Sequence, residues 1–433
     1  MLASLEVAMT CRATTIAVVM RRRVRLSESW TFVRDVDARG TRVRNVYRAN
    51  HRDGSGHERC SLRASRMKKA KVLVVDDAML VRRMVTDVLA ADPAIEVVGE
   101  AGNGRIALQK IAQLAPDLVT LDVEMPEMNG LQTLKEIRKT HPRLPVIMFS
   151  AVTERGAADT LEALHLGASD YVTKPGGAAG RDLAKARIHD DLVPKIKSLC
   201  RVASALSIGG KRSQSGARPP TPFTLRALGP MIGADVVAIS LSTGGPAALG
   251  EIAGRLPADF RAPLVVVPHM AAVFTKFFAE RLATQTKLRV VEPADGQPLE
   301  GGVIYVAPGD FHLTVLRRNG ASVCALNQQP AVHAHRPAAD VLFRSIADAY
   351  GSRALALVLT GMGQDGLRGC EDITTAGGRV IVQDEPTSVV WEMPGLVAKA
   401  GLADAVLPLG ELAGELVRRT VRTPVSADDR GAA

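Results

Sequence analysis

Two groups of polar residues in this chain of 433 amino acids could do chemistry. The first is Asp76, Asp77, Asp122, Ser150 and Lys174, each closing or directly following a short apolar run: Val-Leu-Val-Val-Asp76-Asp77, Leu-Val-Thr-Leu-Asp122, Val-Ile-Met-Phe-Ser150 and Tyr-Val-Thr-Lys174-Pro175. Carboxylates gathered in one crevice repel one another unless a hard cation neutralises them, and an all-oxygen donor set suits Mg²⁺. A hydroxyl and an ammonium beside them would complete a site for a phosphoryl group. An Asp-Asp pair taken alone reads as a turn or a helix cap. Five such residues at successive run ends point instead to the phosphoryl site.

The second group is Ser242, His269 and Asp365. Ser242 stands in Ile239-Ser-Leu-Ser-Thr243-Gly244-Gly245-Pro246, His269 directly follows Leu264-Val-Val-Val-Pro268, and Asp365 lies in the glycine-rich Leu359-Thr-Gly-Met362-Gly-Gln-Asp-Gly366. A serine at a strand-to-helix turn, a histidine base and a carboxylate that orients the base are the parts of a nucleophilic acyl transfer. Taken singly, each has a plainer reading: a helix N-cap or anion loop, a structural histidine, and a solvated Asp in a glycine turn. The pattern also lacks the G-x-S-x-G elbow. His333-Ala-His335 suggests a metal pair, but no third ligand cluster accompanies it. Cys370 has no neighbour that would lower its pKa.

Elements must place these residues. Apolar runs at Val72–Val75, Glu96–Gly99, Leu118–Leu121, Pro145–Phe149 and Tyr171–Val172 alternate with helical patterns, which predicts a parallel, doubly wound sheet whose ligand crevice lies at the carboxyl ends of its strands. A second series at Val236–Ile239, Leu264–Val267, Leu288–Val291, Val303–Val306, Ala354–Leu359 and Val380–Val382 predicts another α/β domain. Between them, after a helical pattern over about Asp182–Ala205, a Gly/Ser/Pro-rich stretch over Ile208–Pro222 reads as a tether. The fold class is therefore α/β, with two doubly wound parallel-sheet domains.

The first domain resembles the receiver of two-component response regulators, through Val-Val-Asp76-Asp77, Leu-Asp122-Val-Glu124-Met-Pro-Glu-Met-Asn-Gly130, Ser150-Ala151 and Lys174-Pro175. That resemblance implies a flavodoxin-like fold with Asp122 as phosphoacceptor. It implies Mg²⁺ held by Asp77, Asp122 and the Glu124 carbonyl, with Asp76 acting through water, and Ser150 and Lys174 binding the phosphoryl group. The second domain is similar to the catalytic domain of the chemotaxis protein-glutamate methylesterases, a Rossmann-like α/β fold. The carrying motifs are Ser242-Thr-Gly-Gly-Pro-Ala-Ala-Leu, Val-Pro-His269-Met, Ile-Tyr-Val-Ala-Pro-Gly-Asp-Phe-His312-Leu, Arg336-Pro-Ala-Ala-Asp-Val-Leu-Phe, Leu-Thr-Gly-Met-Gly-Gln-Asp365-Gly and Val-Gln-Asp-Glu-Pro-Thr-Ser-Val-Val-Trp-Glu-Met-Pro. It implies Ser242 as nucleophile, His269 as base and Asp365 as its orienter, with Thr243 and Met362 lining the site and no cofactor in this domain. Methylated chemoreceptors would be the substrate, demethylated and deamidated, and a chemotaxis-type histidine kinase the phosphodonor. Departures are Ser240-Leu241, where the family usually has Gly-Ala, and Glu392, where it often has Gly.

Composition narrows the alternatives. With 46% hydrophobic and 23% charged residues and no apolar run long enough to span a bilayer, the chain reads as a cytoplasmic globular protein that meets membranes only through receptors. Its five scattered cysteines include no C-x-x-C. The net +10 is uneven: residues 1–66 carry fourteen Arg and six acids (+8), whereas residues 231–433 carry eighteen Lys+Arg and twenty-one acids (−3). A DNA-binding output, the main rival, needs a positive face that the last 200 or so residues lack, so no nucleic-acid partner is expected. The domains expected are an Arg-rich extension over 1–66, without sustained apolar periodicity and read as a disordered appendage ahead of a start at Met67, a receiver over 67–190, a linker over 191–231, a catalytic domain over 232–420 and a tail over 421–433.

Overall fold

The computed structural model describes residues 69–175, 180–207, 225–226 and 233–420, and the backbone of four strands within the first 66 residues. Met1–Arg66 and Met67–Ala433 are separate compact units. In the first, β1 (Glu6–Arg12), β2 (Thr15–Arg21), β3 (Trp30–Val36) and β4 (Val43–Ala49) pair antiparallel in that order. This differs from the structureless appendage expected. Runs such as Thr-Ile-Ala-Val-Val-Met-Arg carry local strand propensity without a long alternation.

In the second unit, β5 (Ala70–Val75), α1 (Met79–Ala90), β6 (Ile95–Ala101), α2 (Gly104–Leu114), β7 (Leu118–Asp122), α3 (Gly130–Thr140), β8 (Val146–Ser150), α4 (Glu154–His165), β9 (Asp170–Thr173) and α5 (Arg181–Ser207) alternate. The five strands are parallel, in the order β6-β5-β7-β8-β9. This is the flavodoxin-like doubly wound order, whose crevice lies at the carboxyl ends of β5 and β7. Side-chain caps begin three of the helices at that end: Asn103 accepts from the Ile106 N–H, Asn129 forms a capping box with Gln132, and Thr153 accepts from the Gly156 N–H. Helix α5 continues well past residue 190, so 191–207, assigned to the linker, is helical. The reason is a buried stripe of Leu192, Val193, Ile196, Leu199 and Cys200 at helical spacing. The Gly/Ser/Pro-rich tether and the tail over 421–433 lie outside the described residues.

The chain then forms β10 (Val236–Leu241), α6 (Gly245–Arg255), β11 (Leu264–Pro268), α7 (Ala272–Ala283), β12 (Arg289–Val291), β13 (Val303–Val306), β14 (His312–Arg318), β15 (Ala321–Asn327), α8 (Ala339–Tyr350), β16 (Ala354–Val358), α9 (Leu367–Thr375), β17 (Arg379–Gln383), α10 (Met393–Lys399), β18 (Ala405–Leu407) and α11 (Leu409–Thr420). Seven of these strands make one parallel sheet, β12-β13-β11-β10-β16-β17-β18. Its central strands are wholly buried runs such as Val-Val-Ala-Ile-Ser-Leu, as a sheet covered on both faces requires. The β14–β15 hairpin and β18 go beyond the predicted strands. The hairpin turns on Asn319-Gly320, both left-handed at φ +50° and +81°, the Asn-Gly signal of a two-residue turn. No helix among the described residues is long and apolar enough to cross a membrane.

Candidate active site and phosphate site

Strands β11, β10 and β16 end side by side where the chain has left β10 in both directions, the switch point at which open α/β sheets bind ligands. Ser242 follows β10; its N–H donates to the Thr360 carbonyl (3.1 Å) and its carbonyl accepts from the Gly245 N–H (2.7 Å). The N-cap of α6 is Gly244, not Ser242 or Thr243, so the serine is not spent as a cap. Gly244 has φ +78°, and a Cβ there would lie 2.5 Å from Val389 Cγ2. A Cβ on Gly361 would come within 2.9 Å of the Ser242 Cβ, so the loop after β16 approaches as closely as glycine allows. Thr243 is buried, and its carbonyl accepts from the Thr360 hydroxyl at 2.9 Å.

His269 follows β11 in the same register as Ser242 follows β10, since Leu241 pairs with Pro268. Its Nε2 lies 2.7 Å from Asp365 Oδ2, with both side chains almost fully buried. The Nδ1 atom is buried without a partner. Asp365 is no solvated turn residue. Its Oδ2 also accepts from the Ala339 N–H (2.6 Å) and its Oδ1 from the Asp340 N–H (2.9 Å), at the start of α8. Burial pushes its pKa up, but the hydrogen bond and charge of His269 and those two N–H groups outweigh it and hold the carboxyl below its ordinary value. Asp340 returns the arrangement: its Oδ1 accepts from the Gly366 and Gly369 N–H groups (2.9 and 2.8 Å) at the start of α9, and its Oδ2 from His333 Nε2 (3.0 Å). His333, Asp340 and Asp365 thus cluster within 4.8 Å, yet all four carboxylate oxygens are engaged, which makes a hydrogen-bond network rather than a metal centre. Beside them a cleft of about 370 Å³ is lined by His333, His335, Met362, Gln364, Glu392 and Leu396. Cys370 is fully buried, and burial pushes its thiol well above the usual range, so it is no nucleophile.

The phosphate-site residues also converge. Lys174 Nζ lies 2.8 Å from Asp76 Oδ2 and 2.7 Å from Asp122 Oδ2. Asp76, Asp77 and Asp122 each bring an oxygen within 4.8 Å of the others. Burial and then the Asp76 charge push Asp122 up to about 6, against the hydrogen bond and charge of Lys174. Lys174 pairs with two of the three carboxylates, Asp76 and Asp122, so the clustered donor set is all-oxygen with more carboxylates than ammonium groups, which fits a hard divalent cation. Asp122 Oδ1 accepts from the Glu124 N–H at 3.4 Å, which brings that backbone to the site. Ser150 is buried, with its hydroxyl donating to the Gly156 carbonyl (3.0 Å).

A family model described as CheB methylesterase matches residues 237–416, and one described as response regulator receiver domain matches residues 72–185. A protein-glutamate methylesterase/protein-glutamine glutaminase of Trichodesmium erythraeum is 48% identical over 354 residues, spanning 82% of this chain and 99% of the relative. That of a Nocardioides species is 47% identical over 374 residues, spanning 84% and 100%. The chain belongs to this family. The catalytic domain of Thermotoga maritima CheB methylesterase, a crystal structure, shares 41% identity with it, covering 43% of this chain and 99% of that one, at a TM-score of 0.42. Family membership accounts for both sites in one chain, a receiver followed by a methylesterase domain.

The two sites meet through the receiver's last strand and helices. Asp170, at the start of β9, accepts a hydrogen bond from the Thr243 hydroxyl beside Ser242. Tyr171 stacks on Phe274 of α7, with ring centroids 4.4 Å apart. Glu162 of α4 pairs with Arg281 of α7 (2.9 Å). Val390 shares an apolar cluster with Val172 of β9 and Ile196 of α5, and Met362 and Val389 pack against that cluster. Sequence reasoning missed Asp340, Asp170 and Thr360. The first lies inside a quoted motif, and its position at a helix start was the available signal. Thr360 also lies inside a quoted motif, but it and Asp170 act through contacts distant in sequence.

Proposed function

We propose that this chain hydrolyses the methyl esters of glutamate side chains on methyl-accepting chemoreceptors and deamidates receptor glutamines by the same steps. Ser242 Oγ attacks the side-chain carbonyl carbon, and His269 takes the hydroxyl proton. Because Nε2 of that ring is committed to Asp365, Nδ1 is the basic atom; Asp365 stays ionised and steadies the imidazolium. The tetrahedral intermediate expels methoxide, which leaves as methanol with the proton from His269. Water, deprotonated by His269, then opens the acyl-enzyme to a glutamate carboxylate and restores Ser242. With a glutamine amide, ammonia leaves in place of methanol. Backbone N–H groups in the loops that carry Thr243 and Met362 would receive the oxyanion. The observation that carries this reading is the 2.7 Å His269–Asp365 bond at the strand ends flanking Ser242. Replacing Ser242 with Ala should abolish methanol release while receptor binding survives. Unchanged release would sink the triad.

The receiver would gate this reaction. Asp122 accepts a phosphoryl group from a chemotaxis-type histidine kinase; Asp76, Asp77, Asp122 and the Glu124 carbonyl would hold Mg²⁺, which supplies charge neutralisation, and Lys174 and Ser150 would bind the phosphoryl oxygens. Ser150 must leave the Gly156 carbonyl to do so. Strand β9 supports the coupling, because it ends beside Lys174 and presents Asp170 and Tyr171 to the Ser242 loop and α7. Loosening that contact on phosphorylation would open the esterase site.

A further inference from the structure

His335 takes no part in the steps above, yet its imidazole lies flat against that of His269, with centroids 3.9 Å apart and planes 5° from parallel. His269 is thus held at one edge by Asp365 and covered on one face by a second ring, while its Nδ1 edge stays free. The segment carrying His335 is braced to put it there. Val332 and His335 exchange backbone hydrogen bonds (3.0 and 2.9 Å) around His333 and Ala334, both left-handed at φ +51° and +64°. Non-glycine residues hold such a conformation only where their surroundings over-determine it. Here the Arg336 guanidinium donates to the Gln328 and Gln329 carbonyls (3.2 and 3.1 Å), the Arg336 carbonyl accepts from the Asp310 N–H (3.1 Å), and His333 is tied to Asp340.

We infer that His335 is a positioning residue for the esterase reaction: its ring is a neutral plate that keeps the His269 imidazole in the plane joining Asp365 to Ser242 and shields one face from water. The inference rests on the function proposed above. Neutrality matters because a cation against that face would oppose the proton His269 must take. The charged or titratable groups acting on His335 include His269, Asp365, Lys195 of α5 and His333 on its own loop, and Glu392 lines the same cleft. Burial first, and then the charge of His269, push His335 down to about 3, so its ring is uncharged at neutral pH.

The test uses the full chain with a phosphodonor present, and follows methanol release from methylated receptor membranes against wild type and Ser242→Ala. Loss of the plate in His335→Ala should lower kcat on the order of tenfold, a fraction of what a general base supplies, with KM within about twofold of wild type. His335→Phe, which keeps a flat neutral ring, should recover at least about half of kcat, since an aromatic face tolerates a neighbouring cation. His335→Arg, a fixed planar cation, should move the acid limb of the kcat profile to lower pH. A wild-type kcat in His335→Ala, a His335→Phe as slow as His335→Ala, or an unmoved acid limb in His335→Arg would each overturn the inference. Wild-type release no higher than that of Ser242→Ala would instead bring down the proposed function, and the inference with it.

Discussion

The phosphate site and the esterase site occupy equivalent places, at the carboxyl ends of central strands in parallel sheets, but they are built to opposite ends. At the first, three carboxylates face one lysine, Asp77 is exposed, Asp122 is held near pKa 6, and the Ser150 hydroxyl bonds a carbonyl it can leave. At the second, Asp365 and Asp340 each hold the start of a helix and a histidine, and the side-chain nitrogen left without a partner is the one that would take a proton. Unbalanced charge makes a site that responds to a new ligand. Saturated hydrogen bonding makes one that holds its geometry.

The sharpest way to break this comparison is to loosen the rigid site. Asp365→Asn should lower kcat by roughly 10³–10⁴, because an amide cannot hold the same tautomer of His269; steady-state methanol release measures it. The same variant reads the pH dependence. The folded-state pKa of Asp365 lies below its unfolded value, so its carboxylate stabilises the fold above about pH 4, and that contribution is lost as pH falls through the folded value. The difference in melting temperature between wild type and Asp365→Asn should be full at neutral pH and shrink on acidification below about pH 4.

The responsive site should behave differently. Asp122→Asn should remove all stimulation by a phosphodonor while leaving the basal rate within about twofold, as expected if its carboxylate serves phosphorylation and not the esterase steps. A basal rate that collapses with the stimulation would make Asp122 structural. Between the sites, Asp170→Ala deletes the partner of the Thr243 hydroxyl. With a hydrogen bond to a charged group contributing about 1.5–3 kcal/mol, the unphosphorylated rate should rise by about tenfold or more. The smallest effect concerns Ser240, fully buried with its hydroxyl unpartnered. An unsatisfied buried hydroxyl costs about 1–3 kcal/mol, so Ser240→Ala should raise stability by about 1 kcal/mol in denaturant titrations, with kcat unchanged.

Both sheets and the residues gathered at their ends were legible in the sequence, because parallel strands buried on both faces read as continuous apolar runs and the polar residues that break those runs mark the crevice. Val-Val-Ala-Ile-Ser-Leu before Ser242 and Leu-Val-Val-Val-Pro before His269 are of this kind. The β14–β15 hairpin carries a separate local signal, the Asn319-Gly320 turn pair, which apolar periodicity does not register. The helical pattern over about Asp182–Ala205 matches α5, but the domain boundary set at residue 190 falls inside that helix, whose buried stripe packs on α1 and β9. The bond from Asp170 to Thr243 and the stacking of His335 on His269 join residues 73 and 66 positions apart. No local pattern encodes such pairs, since they follow from how two sheets and a braced loop are set against one another.

The most direct test of a phosphorylation-gated Ser242 esterase is methanol release from methylated chemoreceptor membranes by the full chain, with and without a phosphodonor, alongside Ser242→Ala. The account predicts slow release without the donor, faster release with it, and none above background from Ser242→Ala in either condition. Release that ignores the phosphodonor, or that persists in Ser242→Ala, would contradict it.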